Sequence, residues 1–355
     1  MGTRVSDAMS VSAVIRHVAE SIGAASGANA EAARAAVAGA AAPMLERLAA
    51  ALAGAQHTPR PRAQRRLIVV AAGDHGVGDP GIAMGADHPT IIAAREIAAG
   101  SAALSQLARA ARTPIVLIDA GAKEPTFMPP SAIALGRGAT RDLAREPAMT
   151  IVDATLGLEA GIALAMSLAE DPGAASEPAD EPLADGTKPL PTTRPVPLAV
   201  LALGALGVGA EVASAALIGA ITGEVPVALR DPQAELAAHR GIELAGASAL
   251  ELLAQFGGSE TAVLAGLILG AASINVPVIL DSYATGAAAL IAAQLAPAVT
   301  GYLIAAHRGS FTMPAILRHL GLEPIFDVGL GHGEGSGAAM VLPLVDQVSE
   351  LANAS

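Results

Sequence analysis

The chain has no cysteine and no tryptophan, and aromatic residues make up only 2% of its 355 residues. The absence of cysteine excludes disulfides, thiolate metal sites and a cysteine nucleophile. The scarcity of aromatics argues against a stacking platform for single-stranded nucleic acid. Charged residues are also few, at 15%, whereas hydrophobic residues reach 52%. A large aliphatic core is therefore expected, and global disorder is excluded.

The formal net charge of −12 disfavours binding to nucleic acid or to an acidic membrane. Mean hydropathy is high, at +0.51, and the stretches 261–280 and 282–306 carry no charge. Both stretches are interrupted, by Asn275 and Pro277 in the first and by Pro297 and Gly301 in the second. Such interruptions are typical of a helix followed by a short buried strand. We expect a soluble, cytoplasmic protein without a signal peptide or a membrane partner.

Short apolar strands alternate with Ala-rich helical segments along most of the chain. This alternation predicts an α/β fold, with helices on both faces of a parallel sheet. Segment 170–197 differs, with six acids, two bases and seven prolines, and is predicted to be a disordered insertion. The predicted strands are 66–73, 114–121, 197–204, 225–229, 276–280 and 301–306. The predicted helices include 90–112, 153–169, 233–255, 260–273 and 285–296.

We predict three segments: an N-terminal helical segment at 1–60, an α/β core at 61–330, and a Gly-rich loop with a final helix at 331–355. In a parallel sheet the ligand site lies at the carboxyl ends of the strands. The polar residues and glycines that directly follow each strand are therefore the candidates for function.

Asp74 and His75 lie between glycines after the first strand. Their side chains either face a ligand or stabilise a structural turn. The glycines Gly204, Gly207 and Gly209 precede a helix, an arrangement that favours an anion such as a phosphate. Glu211, in the first turn of that helix, argues against an anion there.

His307, Arg308 and Ser310 follow the last predicted strand, where they offer hydrogen-bond donors to an anionic ligand or form surface contacts. The densest glycine cluster, at 329–337, holds one carboxylate, Glu334, between Gly333 and Gly335. Glycines on both sides of Glu334 provide little packing, so we interpret this residue as an acid or base that projects into a site. No cluster of His and acidic residues has the spacing of a metal site.

Several motifs occur together in a fixed order. The set resembles the nicotinate-nucleotide–dimethylbenzimidazole phosphoribosyltransferase family over about residues 65–350. The motifs are AAGDHGV at 71–77, DAGA at 119–122, GRGATRDLAREPAMT at 136–150, LEAGIALA at 158–165, GALGVG at 204–209, FGGSETAVLAGLILGAA at 256–272, VILDSYATGAAAL at 278–290, QLAPAVTGYLIAAHRGS at 294–310 and GHGEGSGAAMVLPLVDQV at 331–348.

The resemblance implies a Rossmann-like sheet of six parallel strands and a small helical domain built from the terminal segments. It also implies a homodimer; a heterodimer with a paralogue is a separate alternative. In the family the phosphoribosyl group moves from nicotinate mononucleotide to a benzimidazole nitrogen with inversion, nicotinate leaves, and no cofactor is required. The partners are thus a nucleotide and an aromatic base. The family's general base corresponds to Glu334.

The resemblance also identifies substrate-binding positions at which this chain departs from the family pattern. In the base pocket, the expected serine and glutamine are Ala83 and Ile92. In the phosphate site, the expected loop falls near Arg230 and the expected lysine is His239, while Ala205 replaces a glutamate.

Three hypotheses stay open at the level of sequence. The first is an active transferase of this family. The second is a non-catalytic homologue, or one subunit of a heteromer, that binds a nucleotide or base. The third is an enzyme on the same scaffold with a changed donor or acceptor.

Overall fold

A computed structural model describes residues 11–40, 42–78, 81–136, 138–170, 196–226, 232–309, 313–327, 330 and 334–354. Within these residues six parallel strands form one sheet, in the order β3-β2-β1-β4-β5-β6. The predicted Rossmann-like α/β fold is confirmed, and the strand order reverses between β1 and β4. The strands are β1 Arg66–Gly73, β2 Ile115–Gly121, β3 Ile133–Ala134, β4 Val200–Leu206, β5 Val278–Leu280 and β6 Leu303–Ala305.

The same residues form thirteen α-helices. They are α1 Ala13–Ser21, α2 Gly27–Val37, α3 Pro43–Ala55, α4 Pro89–Ala99, α5 Ala103–Ala110, α6 Ile151–Glu170, α7 Ala210–Thr222, α8 Pro232–Glu243, α9 Ala249–Phe256, α10 Ser259–Ser273, α11 Tyr283–Leu295, α12 Met313–Leu320 and α13 Ser336–Ala354.

The sheet is covered by helices on both faces, and strand β1 is buried along its whole length. On one face Leu67 and Val69 pack with helix α1 and with helices α6 to α12. On the other face Ile68 and Val70 pack with helices α2 to α5 and with α13. Side chains alternate between the two faces because the strand has a period of two. The N-terminal helices therefore pack on opposite faces, with α1 on one and α2 and α3 on the other.

Helix α6 is the one helix in the described part of the chain that is long and apolar enough to cross a membrane, by length and composition alone. In this fold it packs against α10. Gly161 and Gly266 allow the close crossing, because a methyl group on either would overlap a backbone carbonyl of the other helix. The core helix of a soluble protein meets the same length and composition criteria.

Two predicted helices are each interrupted. The helix expected over 90–112 ends at Gly100, whose left-handed backbone (φ 79°) closes α4 before α5 begins. The helix expected over 233–255 divides into α8 and α9, with Gly246 (φ 92°) between them. Glycine at positive φ favours a helix end, and neither prediction took it into account.

The predicted strands also need correction. Strand β4 begins at Val200 and ends at Leu206, so both of its ends lie further along the chain than those of the predicted 197–204 strand, and Gly204 lies inside it. Residues 225 and 226 form no strand, and the rest of the predicted 225–229 strand lies outside the described residues. The sixth strand is instead β3, a two-residue strand at the edge of the sheet.

Arg65, at the amino-terminal end of β1, is buried and joins two distant parts of the chain. Its guanidinium donates to the carbonyls of Leu168 and Ala169, at the end of α6, and to that of Val196, at 2.6, 2.5 and 3.1 Å. The carbonyls of the last helical turn lack partners within their own helix, so a cation there stabilises the end of α6. The predicted 170–197 insertion falls between these anchors, and 171–195 lie outside the described residues.

Candidate functional site

Asp74 is buried at the point where the strand order reverses, and it holds several loops together. One carboxylate oxygen accepts hydrogen bonds from the Thr90 hydroxyl and the Val208 N–H, at 2.6 and 2.9 Å. The other accepts from the Lys123 N–H at 2.8 Å. Both oxygens are therefore occupied by groups from α4 and from the loops after β4 and β2. This geometry assigns Asp74 a loop-anchoring role.

The adjacent His75 forms a buried pair with Glu260 on α10. The His75 Nε2 and Glu260 Oε1 atoms are 3.0 Å apart, and both side chains are almost fully buried. Burial alone would lower the pKa of His75, but the charge and hydrogen bond of Glu260 outweigh it and the pKa is raised. Burial would raise the pKa of Glu260, yet the charge and hydrogen bond of His75 lower it. The pair is thus stabilised in its charged form.

The glycine turn after β4 lies directly against the loop after β1. A methyl group on Gly207 would overlap the carbonyl of Gly73, and one on Gly209 would approach the His75 Cβ at 2.9 Å. Gly209 also has a positive φ of 81° at the start of α7. These two glycines are therefore needed for the packing of the two loops. Gly204, inside β4, packs against the backbone of Glu334.

Glu334 lies next to β4, just before α13, and its side chain is partly exposed. Within the described part of the chain its carboxylate has no hydrogen-bond partner. Asp281, the first residue after β5, holds the backbone beside it by accepting from the N–H groups of Gly335 and Ala338 at 3.1 and 2.9 Å. Burial raises the pKa of Asp281 to about 6, and the charge of Glu334 adds to the rise. The Asp281 carboxylate therefore fixes the backbone beside Glu334, and the two acidic groups lie close enough to interact.

His307 follows β6 and is buried about 4.0 Å from Asp281. Neither of its ring nitrogens has a hydrogen-bond partner among the described residues. Burial lowers the pKa of His307, which favours the neutral ring. Arg308 instead points outward and forms an exposed ion pair with Asp327 at 3.1 Å. Of the two, His307 is the one that lies beside Asp281.

Ala83 and Ile92 are exposed at the amino-terminal side of α4, and Ile92 is 43% accessible. Met84 and Phe127 are exposed in the same region, where Phe127 lies close to Gly85. Several apolar side chains are therefore exposed in this region, and the Arg95 guanidinium lies over the Phe127 ring. His239 is exposed on α8.

Three predicted binding residues, Arg230, Ser310 and Gly333, lie outside the described residues. Within the described ranges, no three His, Asp or Glu side chains come together as a metal site.

Sequence reasoning did not single out Asp281 or Glu260. Asp281 directly follows a buried strand, as Asp74 does, so the same rule would have identified it. Glu260 stands in the first turn of α10, and nothing in the sequence shows that it faces His75. Only the fold brings Glu260 and His75 together.

A phosphoribosyltransferase family model matches residues 7–176 and 179–355. The chain therefore belongs to the phosphoribosyltransferase family, a class of pentosyl-transferring enzymes. Relatives named nicotinate-nucleotide–dimethylbenzimidazole phosphoribosyltransferase include one from Roseiflexus sp. (strain RS-1), 35% identical over 84% of this chain and 82% of its own length. Another, from Bradyrhizobium diazoefficiens, is 34% identical over 87% of this chain and 85% of its own length.

A solved structure with the same name, from Thermus thermophilus, superimposes with a TM-score of 0.68 at 29% identity. It covers 87% of this chain and 89% of its own. The predicted family resemblance is confirmed.

Proposed function

We propose that this chain transfers the phosphoribosyl group of nicotinate mononucleotide to a benzimidazole-type base, which yields α-ribazole phosphate for the lower ligand of cobalamin. The names of the relatives support this reaction. The observation that carries it is the Glu334 carboxylate, which has no partner within the described part of the chain and lies at the carboxyl edge of the sheet.

In the proposed reaction the bond between ribose C1 and the pyridine nitrogen of nicotinate breaks, and C1 bonds to a nitrogen of the incoming base. The base loses its N–H proton to Glu334, and nicotinate departs with the electron pair of the broken bond. Attack on the face opposite nicotinate inverts C1 to the α-anomer. A positioned general base contributes about 10²- to 10⁴-fold to such a step.

The apolar surface around Ala83 and Ile92 is the proposed acceptor site, because a planar base buries its faces on such side chains. The turn at Gly207–Gly209 and the start of α7 are the proposed phosphate site, together with Arg230 and Ser310. Glu211 in that first turn has a partner within the protein.

The test is chromatographic detection of nicotinate and α-ribazole phosphate from nicotinate mononucleotide and 5,6-dimethylbenzimidazole. Glu334→Gln keeps the shape of the side chain but removes the base, and should lower kcat about 10²- to 10⁴-fold. Glu350→Gln, at an exposed position on α13, is the matched control and should retain wild-type kcat. Wild-type protein that is folded but makes no product would contradict the proposal, and so would a fully active Glu334→Gln variant.

We also propose a homodimer in the cytoplasm. Helix α6 exposes Val152 (61%) and Leu156 (45%), and the neighbouring edge strand β3 exposes Ile133. A cavity of about 550 Å³ lined by Leu135 and Leu156 opens beside them. Several large apolar side chains exposed in one region are typical of an interface between subunits.

Light scattering tests the dimer. Leu156→Glu should give monomers, because a carboxylate would be buried without a partner. Leu236→Glu, at a 64% exposed position on α8, should leave the dimer intact. A monomeric wild type would instead point to a heteromer with a paralogue.

A further inference from the structure

Asp281 has a carboxylate that no part of the proposed reaction uses. It is fully buried, directly after β5, where a charged group requires strong compensation. The compensation comes from the backbone N–H groups of Gly335 and Ala338, at the beginning of α13. Two donors in one short segment make this the anchor of the chain beside Glu334.

The opposite side of that segment is fixed as well. The Glu334 carbonyl lies so close to the Cα of Gly204 in β4 that a methyl group there would overlap it. The Glu334 backbone is therefore held between Gly204 on one side and the hydrogen bonds of Asp281 on the other. Gly335, with φ of 106°, makes the sharp turn that this arrangement needs.

We propose that Asp281 is a positioning residue for Glu334, and that ionisation of Asp281 switches the hold on the Glu334 backbone on and off. This inference rests on the proposed function. Ionised Asp281 accepts from both N–H groups, one on each oxygen, whereas protonated Asp281 turns one oxygen into a donor. A donor facing an N–H group cannot form the bond, so the segment loosens.

The groups facing Asp281 set the pH at which this happens. Glu334 approaches from the segment before α13, His307 from the chain after β6, and the N-terminus of α13 points at the carboxylate. From α11, Thr285 accepts from the backbone N–H groups of Asp281 and Ser282 and carries no charge. Burial, the largest effect, raises the pKa of Asp281 to about 6. The carboxylate is thus ionised above this pH and progressively neutral below it.

The test compares pH profiles of kcat for wild type, Asp281→Asn and Gly204→Ala. Wild-type kcat should fall as the pH drops through about 6. Asp281→Asn should lower kcat about 10- to 100-fold at neutral pH, because the single amide oxygen cannot take the place of both carboxylate oxygens as acceptors. Its KM for nicotinate mononucleotide should change less than about threefold, and the inflection near pH 6 should disappear.

Gly204→Ala distinguishes the effect of the Glu334 backbone position from the effect of Asp281 ionisation. Its methyl group displaces the Glu334 backbone while Asp281 is retained, so kcat should fall and the inflection should stay. An Asp281→Asn enzyme with reduced kcat and an unchanged inflection would overturn the proposal, since that is the result of a purely structural role. Unchanged kcat would overturn it too.

Amide hydrogen exchange gives a readout that needs neither catalysis nor a variant. In wild type, protection of the Gly335 and Ala338 amides should decrease below about pH 6, while amides inside α10 keep theirs. Protection of Gly335 and Ala338 that does not change with pH would overturn the proposal even if Asp281→Asn fails to fold. Absence of transfer by wild type, with the exchange pattern present, would contradict the proposed function alone.

Discussion

Acidic groups are used differently in the loop after β1 and around the segment before α13. After β1, Asp74 and the His75–Glu260 pair make most of their contacts with the protein itself and join loops to helices. Before α13, Asp281 holds the backbone while the carboxylate of Glu334 has no partner in the described part of the chain. The first region stabilises the edge of the sheet, and the second leaves a group available for chemistry.

Loss of the buried pair should give the largest change in stability. Glu260→Ala leaves the His75 ring without its partner in the core, so the free energy of unfolding should fall by about 3–5 kcal/mol. Urea denaturation measures this change in the free energy of unfolding. Glu96→Gln, at an exposed position on α4, should change stability by less than about 0.5 kcal/mol. A loss below about 1 kcal/mol for Glu260→Ala would mean that the pair behaves like a surface contact.

Asp74→Asn should have the next largest effect. The amide group would face either the Val208 N–H or the Lys123 N–H, and that buried donor would lose its acceptor. The expected loss of unfolding free energy is about 1–3 kcal/mol. Asp87→Asn, at an exposed position, serves as the control in the same urea titration. Equal stability of the two variants would remove the loop-anchoring role.

The stability that the His75–Glu260 pair contributes should decrease at both high and low pH. The raised pKa of His75 gives stability that is complete below its ordinary value of 6.5 and is lost as the pH rises through the folded value. The lowered pKa of Glu260 gives stability present above its ordinary value of 4.5 and lost as the pH falls through the folded value. Unfolding free energy should therefore be highest between these limits.

His75→Gln should flatten the alkaline side of that curve, whose slope is at most about 1.4 kcal/mol per pH unit for one proton. Urea unfolding midpoints measured from about pH 5 to about pH 9 show this flattening. The same curve in wild type and His75→Gln would assign the slope to other groups.

The smallest effect is expected away from both regions. Ser248 and Glu251 form a capping box at the start of α9. Ser248→Ala should lower unfolding free energy by about 1 kcal/mol and leave kcat unchanged. A lower kcat in this variant would show that a loss of stability at α9 also impairs catalysis at Glu334.

Sequence patterns predicted the parts of the fold that have long apolar runs. Strands β1 and β2 were placed almost correctly because each is an uninterrupted branched run between turn residues. Strand β3 was missed because its two residues are exposed and carry no burial pattern. Helix α12 was missed since it is only eight residues long and follows a Gly-containing loop.

At the site, the density of glycines and the family resemblance both pointed to Glu334. The sequence did not show that β4 continues past Gly204 to Leu206, because the end of the strand runs through small residues that look like a turn. Nor did it show that Asp281 contacts the start of α13, a contact between residues more than fifty positions apart. Contacts of this range are set by strand order, which no local pattern contains.

The contacts of Arg65 have a practical use. Because one guanidinium joins the carbonyls of Leu168, Ala169 and Val196, the chain departs from the core and returns to it at a single fixed point. That point is at the amino-terminal edge of the sheet, opposite the edge where Glu334 and Asp281 lie. A reporter domain or affinity module inserted between Glu170 and Val196 should therefore label the protein without obstructing the edge of the sheet where Glu334 and Asp281 lie.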